Sequence, residues 1–270
     1  MFRIQSKVVT FGAALLLTSA AMAWADDSAP ADSGAAAPAE DPDLIGKDAL
    51  PGSFTGNVTA VSDYLFRGIS QTRHDPAIQG SIEYDHPSGI YVGAWGSSID
   101  YCDINLCSPA GGGHAQLETD FYAGYRGTIG SFSYNFGGYG YYYVHTDGVN
   151  YAEGFGNLTY DFGFAQVTGG IYASPDNAFN SGTEVWGGGD IVVPVWKSLA
   201  LDFHGGHQYI EKNANFGTPD YNEYSIAANA IVLGFNVSAQ YHKTDIDYHE
   251  CFGGSDLCSG TFLVSVGRSF

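Results

Sequence analysis

From Ser53 to Phe270 apolar and polar residues alternate one for one, in segments of about ten residues separated by turn-forming clusters, and this periodicity restricts the fold more than any other feature of the chain. In Phe235-Asn236-Val237-Ser238-Ala239-Gln240-Tyr241-His242 the odd positions are apolar and the even ones polar. The stretch from Asn222 to Val232 sets Tyr224, Ile226, Ala228, Ala230 and Val232 against Glu223, Ser225, Ala227 and Asn229. From Ala115 to Arg126, Leu117, Phe121, Ala123 and Tyr125 alternate with Gln116, Glu118, Asp120 and Arg126. Side chains of a strand point to opposite faces in turn, so each segment predicts a β-strand with one apolar and one polar face. Past the amino terminus no apolar run approaches the roughly twenty residues that a membrane-spanning helix needs, which excludes a helical membrane protein.

Alternation alone also fits a soluble β-sandwich, and three features favour a barrel with lipid outside. On the apolar faces, aromatic residues sit near the expected strand ends (Tyr64 and Phe66, Tyr224, Phe235 and Tyr241, Phe262) with Gly, Ala and Val between, the pattern of an aromatic girdle. Connections alternate in length. Short turns are expected at His86–Gly89, Gly127–Gly130, Asp161–Gly163, Trp196–Ser198 and Leu233–Gly234, and longer polar loops at Gly68–Asp75, Ser98–Gly113, His145–Asn150, Ser174–Gly182, Glu211–Asp220 and Asp245–Gly260. Five turns and six loops join twelve strands, an even number with short periplasmic and long extracellular connections, as in bacterial outer-membrane barrels. Finally, Phe262 to Phe270 alternates up to a terminal phenylalanine, which resembles an outer-membrane assembly signal with Phe270 as its key residue. Arg268 departs from that pattern and is expected to snorkel toward headgroups.

Arg3 and Lys7 precede the apolar stretch Val8–Leu17 and the small residues Ala21-Met22-Ala23-Trp24-Ala25, so residues 1–25 read as a secretory signal peptide cleaved after Ala25. Residues 26–52 are rich in Ala, Pro and Asp, lack aromatics and carry seven acids against Lys47 alone, a composition that cannot offset its ordering entropy. They are expected to form a disordered leader ahead of a barrel spanning 53–270. The full chain has 10 basic and 29 acidic residues; without Arg3 and Lys7 the net charge is −21. Such a surface repels phosphates, so nucleic acid is not a partner.

The polar faces collect Asp63, Glu83, Glu118, Asp120, Glu153, Asp161, Glu184, Asp190, Asp202 and Glu223 against Arg126, with Arg67 expected near the outer mouth. A lumen lined this way favours cations. Tyr139, Tyr141 and Tyr143 share the inner face of their strand and are expected to constrict the passage or to stack on a ligand. Twelve strands lie between eight-stranded barrels, filled by side chains, and sixteen-stranded ones that leave a channel, so these groups could equally brace a plugged interior.

Cys102 and Cys107, and Cys251 and Cys258, fall as close pairs in two expected outer loops, and in an oxidising compartment each pair reads as a local disulfide. Four cysteines allow three connectivities, a bridge between the loops among them. Their spacings are not those of a zinc site. His204 and His207, three apart on a strand, point to opposite faces and cannot chelate together. His74, His114, His145 and His249, with Asp100, Asp103, Asp245, Asp247 and Glu250, are loop residues that could meet divalent cations but read first as solvated polarity. No cofactor is implied. No His-x-Ser pair lies on one strand face as a nucleophile and base would, which argues against an enzyme and leaves only a site assembled across different strands or loops as the alternative.

The stretch Asn57-Val58-Thr59-Ala60-Val61-Ser62-Asp63-Tyr64-Leu65-Phe66-Arg67-Gly68-Ile69-Ser70-Gln71-Thr72 resembles the opening of the TorF-family porins of proteobacteria. Pro76–Ser97, Asp120-Phe121-Tyr122-Ala123-Gly124-Tyr125 and the terminal Arg268-Ser269-Phe270 continue the likeness. The resemblance implies an outer-membrane barrel of porin type and supplies no catalytic residue or substrate. Together these readings predict an outer-membrane barrel that passively conducts small hydrophilic solutes or ions, with a leaning toward cations. Its expected partners are membrane lipid, lipopolysaccharide and the barrel-assembly machinery. The alternative is a non-conducting barrel that is structural or binds ligands at its surface.

Overall fold

The computed structural model describes residues 51–101, 115–144, 146 and 148–270. The expected signal peptide and nearly all of the leader lie outside these residues, as do Cys102, Asp103, Cys107, His114 and His145.

Twelve antiparallel strands close into a barrel: β1 (Ser53–Val61), β4 (Ala77–Asp85), β5 (Ile90–Tyr101), β6 (Ala115–Ile129), β7 (Phe132–Tyr143), β8 (Tyr151–Asp161), β9 (Gln166–Ser174), β10 (Glu184–Trp196), β11 (Leu199–Ile210), β12 (Tyr221–Val232), β13 (Phe235–Thr244) and β14 (Thr261–Ser269). Each pairs with its sequence neighbours, except that β1 pairs with β4 on one side and with β14 on the other. The seam carries five Cα pairs, from Asn57↔Ser269 to Val61↔Ser265, and the backbone of Phe270 extends it by exchanging two hydrogen bonds with Gly56. Closure leaves no unpaired sheet edge, the condition for crossing hydrocarbon with strands.

The two faces of each strand part as the alternation requires. Outside, the exposed side chains form an apolar band: Val58, Ile82, Val92, Ile171, Ile191, Ile226 and Val264 at mid-height. Aromatics flank it, with Phe54, Phe132, Trp196, Phe235 and Phe270 toward the turns and Tyr142, Tyr209, Tyr224, Tyr241 and Phe262 toward the loops. A continuous apolar belt of this height has no stable partner in water and matches the lipid-facing surface of a transmembrane barrel. Arg268 lies on this outer face with its guanidinium 5.4 Å from the Phe235 ring centre.

The connections follow the expected alternation, with two differences. β6 runs through Gly127 to Ile129, so the turn falls on Gly130 and Ser131, later than its glycines suggested. The larger difference is at the first loop. At Ser62 the chain leaves the wall and turns inward, so Tyr64 and Phe66 are not girdle residues. Within this segment a small hairpin, β2 (Leu65–Phe66) and β3 (Ile69–Ser70), projects into the barrel, and nearly every side chain from Asp63 to Thr72 is buried. Elsewhere among the described residues the loops carry only a 3-10 turn (Ala178–Asn180) and a single helical turn, α1 (Asn213–Phe216).

The hairpin turn has Arg67 at φ 46° and Gly68 at φ 77°, the pair of positive values that a two-residue turn between right-twisted strands requires. Gly68 is also confined: a Cβ there would stand 2.6 Å from Thr244 Cγ2 and 2.7 Å from His242 Nε2. The hairpin therefore presses its tip against the wall at β13.

Candidate functional site

The interior is built differently at its two ends. Toward the turns, inward positions carry small polar side chains, among them Thr55, Asn57, Ser133, Asn135, Asn157, Thr159, Thr168 and Ser238, linked in short pairs such as Thr159 to Thr168 and Ser238 to Asn229. Toward the loops, inward aromatics form a chain of ring contacts across successive strands. Ring centres are 5.2 Å apart for Tyr122 and Tyr139, 5.3 Å for Tyr139 and Phe155, 5.3 Å for Phe155 and Tyr172, and 5.5 Å for Tyr172 and Trp186. Trp186 lies flat against the wall because Gly206 beneath it has no Cβ; one there would meet the indole at 2.6 Å. Tyr139, Tyr141 and Tyr143 are all buried on this inner face, and Tyr141 packs edge-on against Phe66 of the hairpin.

Arg67 sits at the centre of this half. It is 1% exposed, at the loop ends of β8, β10 and β11, the outer side where the sequence suggested it, but enclosed rather than facing solvent. Its Nη2 donates to both oxygens of Glu153 at 2.9 Å, and its Nη1 donates to Glu184 Oε1 at 2.5 Å and to Gln208 Oε1 at 3.0 Å. The side chains of Glu153 and Glu184 are as dry as the arginine. Tyr141 donates its hydroxyl to Glu153 Oε2 at 3.0 Å, fixing that carboxylate. The rings of Phe66, Tyr172 and Trp186 lie 5.0, 5.8 and 5.9 Å from the guanidinium carbon. Burying a charge this completely demands such pairing, because an uncompensated ion in this setting costs several kcal/mol.

The remaining acidic positions fall into separate groups. Arg126 on β6 pairs with Glu83 and Asp85 on β4, two strands along the wall and toward the turn end, with Tyr91 of the intervening β5 packed at 4.3 Å from its guanidinium carbon. Glu223 is buried and accepts from Trp186 Nε1 at 2.6 Å, and His242 Nε2 lies 3.1 Å from its other oxygen. His204 bonds Asp190 at 2.7 Å across the β10–β11 pair, and Asp202 is buried one inward position below it on β11. Glu118 accepts from Tyr143 at 3.1 Å, with Asp120 buried at the next inward position. His207 points outward to Asn222, as its spacing from His204 required. Asp161, at the turn end, caps its own turn through Gly163 N. Asp63 lines no wall. It braces the inserted segment, accepting from Ser70 Oγ at 2.6 Å and from Thr72 Oγ1 at 3.0 Å.

His74 stands beside Asp63 outside the strands, with Nδ1 at 2.8 Å from Asp63 Oδ2 and Nε2 at 3.1 Å from the Asp256 carbonyl. Partial burial lowers its pKa, but the hydrogen bond and charge of Asp63 and the Asp256 carbonyl outweigh that effect, and the net shift is upward. Above the hairpin lies the loop between β13 and β14, in which Cys251 and Cys258 form a disulfide. Ser70 N donates to Leu257 O at 2.9 Å, and Ile69 packs with Ile210, Tyr221 and both cysteines. Asp245 is occupied by Asn222, accepting from its backbone and side-chain nitrogens at 2.7 Å. Among the described residues no three His, Cys, Asp or Glu side chains are grouped so as to hold a metal ion.

Sequence reading missed the Arg67 cage and the roles of Gln208, His242 and Gly68. The available signal was local: Leu65-Phe66 and Ile69-Ser70 flank an Xaa-Gly turn in a segment with no room for a membrane strand.

A family model for bacterial proteins of unknown function, Gcw_chp, matches residues 47–270, the whole barrel. The chain belongs to the Gcw_chp family. No curated protein matches this Gcw_chp chain in sequence. Among solved structures it is similar to the KdgM porin, with a TM-score of 0.52 and 9% identity over 81% of this chain and 99% of that one. It is likewise similar to the NanC porin, with a TM-score of 0.50 and 6% identity over 80% of this chain and 98% of that one. At such identities the likeness concerns the fold, which is that of outer-membrane porin barrels.

Proposed function

We propose that this Gcw_chp protein is a porin-like channel of the bacterial outer membrane that passes small hydrophilic solutes or ions and favours cations. The observation that carries this reading is the charge of the inner wall. Glu83, Glu118, Asp120, Glu153, Glu184, Asp190, Asp202 and Glu223 face inward, whereas Arg67 and Arg126 are the only lysine or arginine side chains inside the barrel among the described residues. Fixed carboxylates in a confined passage attract cations and repel anions. The polar turn end forms the wet, periplasmic portion of the path. The hairpin and the tyrosines Tyr139, Tyr141 and Tyr143 narrow the extracellular portion. The resemblance of Asn57–Thr72 to TorF-family porins supports the same reading. Lipid and lipopolysaccharide are the partners of the apolar belt, and Phe270 is the residue offered to the assembly machinery.

Planar-bilayer recordings of the refolded protein in a salt gradient test the proposal. A reversal potential of cation-selective sign is expected; absence of conductance, or anion selectivity, overturns it. The inserted hairpin favours a second reading, a closed barrel that binds ligands through its outer loops, and that reading predicts no conductance with or without the hairpin.

A further inference from the structure

We infer that the cage around Arg67 is a recognition site for small guanidinium-bearing solutes, which the chain fills with its own arginine until such a solute takes its place. The inference deepens the cation-channel reading, on which its transport aspect rests.

Four features of the cage are those of a ligand site rather than of a structural ion pair. The first is chemical fit. Two dry carboxylates, one amide oxygen and aromatic rings surround a planar cation, and the two terminal nitrogens of Arg67 make four hydrogen bonds to Glu153, Glu184 and Gln208. A compact ammonium cannot span those acceptors at once, so the arrangement selects guanidinium. The second is charge. Glu153 and Glu184 offer two carboxyl groups to the single guanidinium of Arg67, and Glu184 Oε2 is buried without a hydrogen-bond partner. The cage therefore holds acceptor capacity that Arg67 does not use.

The third is attachment. Glu153, Glu184 and Gln208 project from the wall strands β8, β10 and β11, whereas Arg67 arrives on a hairpin with strands of two residues each. The acceptors are rigidly placed by the barrel. The donor is tethered to an element that has no stability of its own. The fourth is economy: apolar side chains of similar volume stabilise a dry interior as well as an ion pair does. A buried pair between the wall and an inserted segment is thus better explained by exchange than by stability.

In this view a guanidinium-bearing solute entering from the loop side meets Glu184 and Glu153 as Arg67 withdraws, and one cation occupies the cage throughout. No covalent step is involved.

The test uses the refolded full barrel carrying Arg67→Ala, titrated with methylguanidinium and, at equal ionic strength, with methylammonium. Binding is read from tryptophan fluorescence, since Trp186 borders the cage, and conductance is read separately in planar bilayers. Methylguanidinium is expected to bind Arg67→Ala at about tenfold lower concentration than methylammonium, the discrimination that one charge-assisted hydrogen bond supplies. It is also expected to block the enlarged conductance of that variant, with no comparable effect on the wild type at the same concentration. Equal binding of the two ions overturns the inference. Selective binding in the absence of any conductance, by either protein, supports the recognition site and removes the channel reading instead. If Arg67→Ala does not fold, Arg67→Gln carries the same titration; failure of both to fold even in methylguanidinium overturns the inference, because the tethered side chain would then be irreplaceable.

Discussion

The loop half and the turn half of this barrel share one wall, one alternation and the same strands, yet their interiors obey different rules. In the loop half, large aromatics and an inserted hairpin keep particular charges dry, and each of these has a partner: Arg67 has Glu153 and Glu184, and Glu223 has Trp186 and His242. Toward the turns, Ser, Thr and Asn leave space and some charges remain in touch with solvent, the Asp190 side chain being 32% exposed and that of Asp85 30%, whereas Glu83 and Asp202 there are buried. A carboxylate such as Glu184 therefore has a structural consequence that a partly exposed one such as Asp85 does not. Dielectric surroundings, not sequence position, decide what a carboxylate does.

The sharpest way to break that comparison is to delete one carboxylate from each half. Glu184→Ala leaves Arg67 incompletely paired in a dry site and is expected to destabilise the folded barrel by about 3–5 kcal/mol. Asp85→Ala removes a partly exposed partner of Arg126, which keeps Glu83, and is expected to cost about 1 kcal/mol or less. Urea unfolding in detergent or lipid vesicles measures both. Equal effects of the two substitutions would show that the halves do not differ.

Removing the cap is the next largest perturbation. Cys251 and Cys258 close a short loop that packs on Ile69. Replacing both by serine is expected to lower stability by about 2 kcal/mol through the greater freedom of the unfolded loop. It should also expose the hairpin, seen as faster cleavage by added protease at the loop side, with the turn side unchanged.

Gly68→Ala tests the hairpin alone. The substitution puts a side chain at φ 77° and into Thr244 and His242, so a loss of about 1–3 kcal/mol is expected. The accompanying increase in conductance should be smaller than for Arg67→Ala, because the cage acceptors still hold the arginine.

The two halves also differ in how far they could be read from the sequence. The barrel was legible because a period of two survives any tertiary context: Tyr224, Ile226 and Ala228 face lipid wherever β12 sits, and twelve segments with alternating connections leave one closed arrangement. The inner positions Glu118, Glu153, Glu184 and Glu223 follow from the same parity. What parity cannot convey is a chain segment that leaves the wall. Tyr64 and Phe66 carry the aromatic character of girdle residues, and only the inward turn at Ser62 puts them in the core. Arg67 meets Glu184 across 117 positions and Gln208 across 141, contacts set by barrel closure and invisible to local pattern. The disulfide between Cys251 and Cys258 was legible from spacing, since seven positions and an exported chain suffice for a local bridge.

The smallest expected effect concerns pH and the base of the hairpin. His74 bridges Asp63, which braces the inserted segment, to the Asp256 carbonyl in the capping loop. Its pKa is raised from its ordinary value of 6.5 on folding, so the folded state binds a proton more tightly than the unfolded chain does. The resulting stabilisation is fully present below the unfolded value and is lost as pH rises through the folded one. The wild-type barrel should therefore exceed His74→Ala in stability at pH values below 6.5, by about 1 kcal/mol or less because the imidazole is partly open to solvent, and the difference should vanish in alkaline buffer. Urea midpoints of both proteins at acidic and alkaline pH measure it. A difference that grows with pH would mean that the neutral imidazole is the form the hairpin uses, and that the contact acts through the Asp256 carbonyl instead of the Asp63 charge.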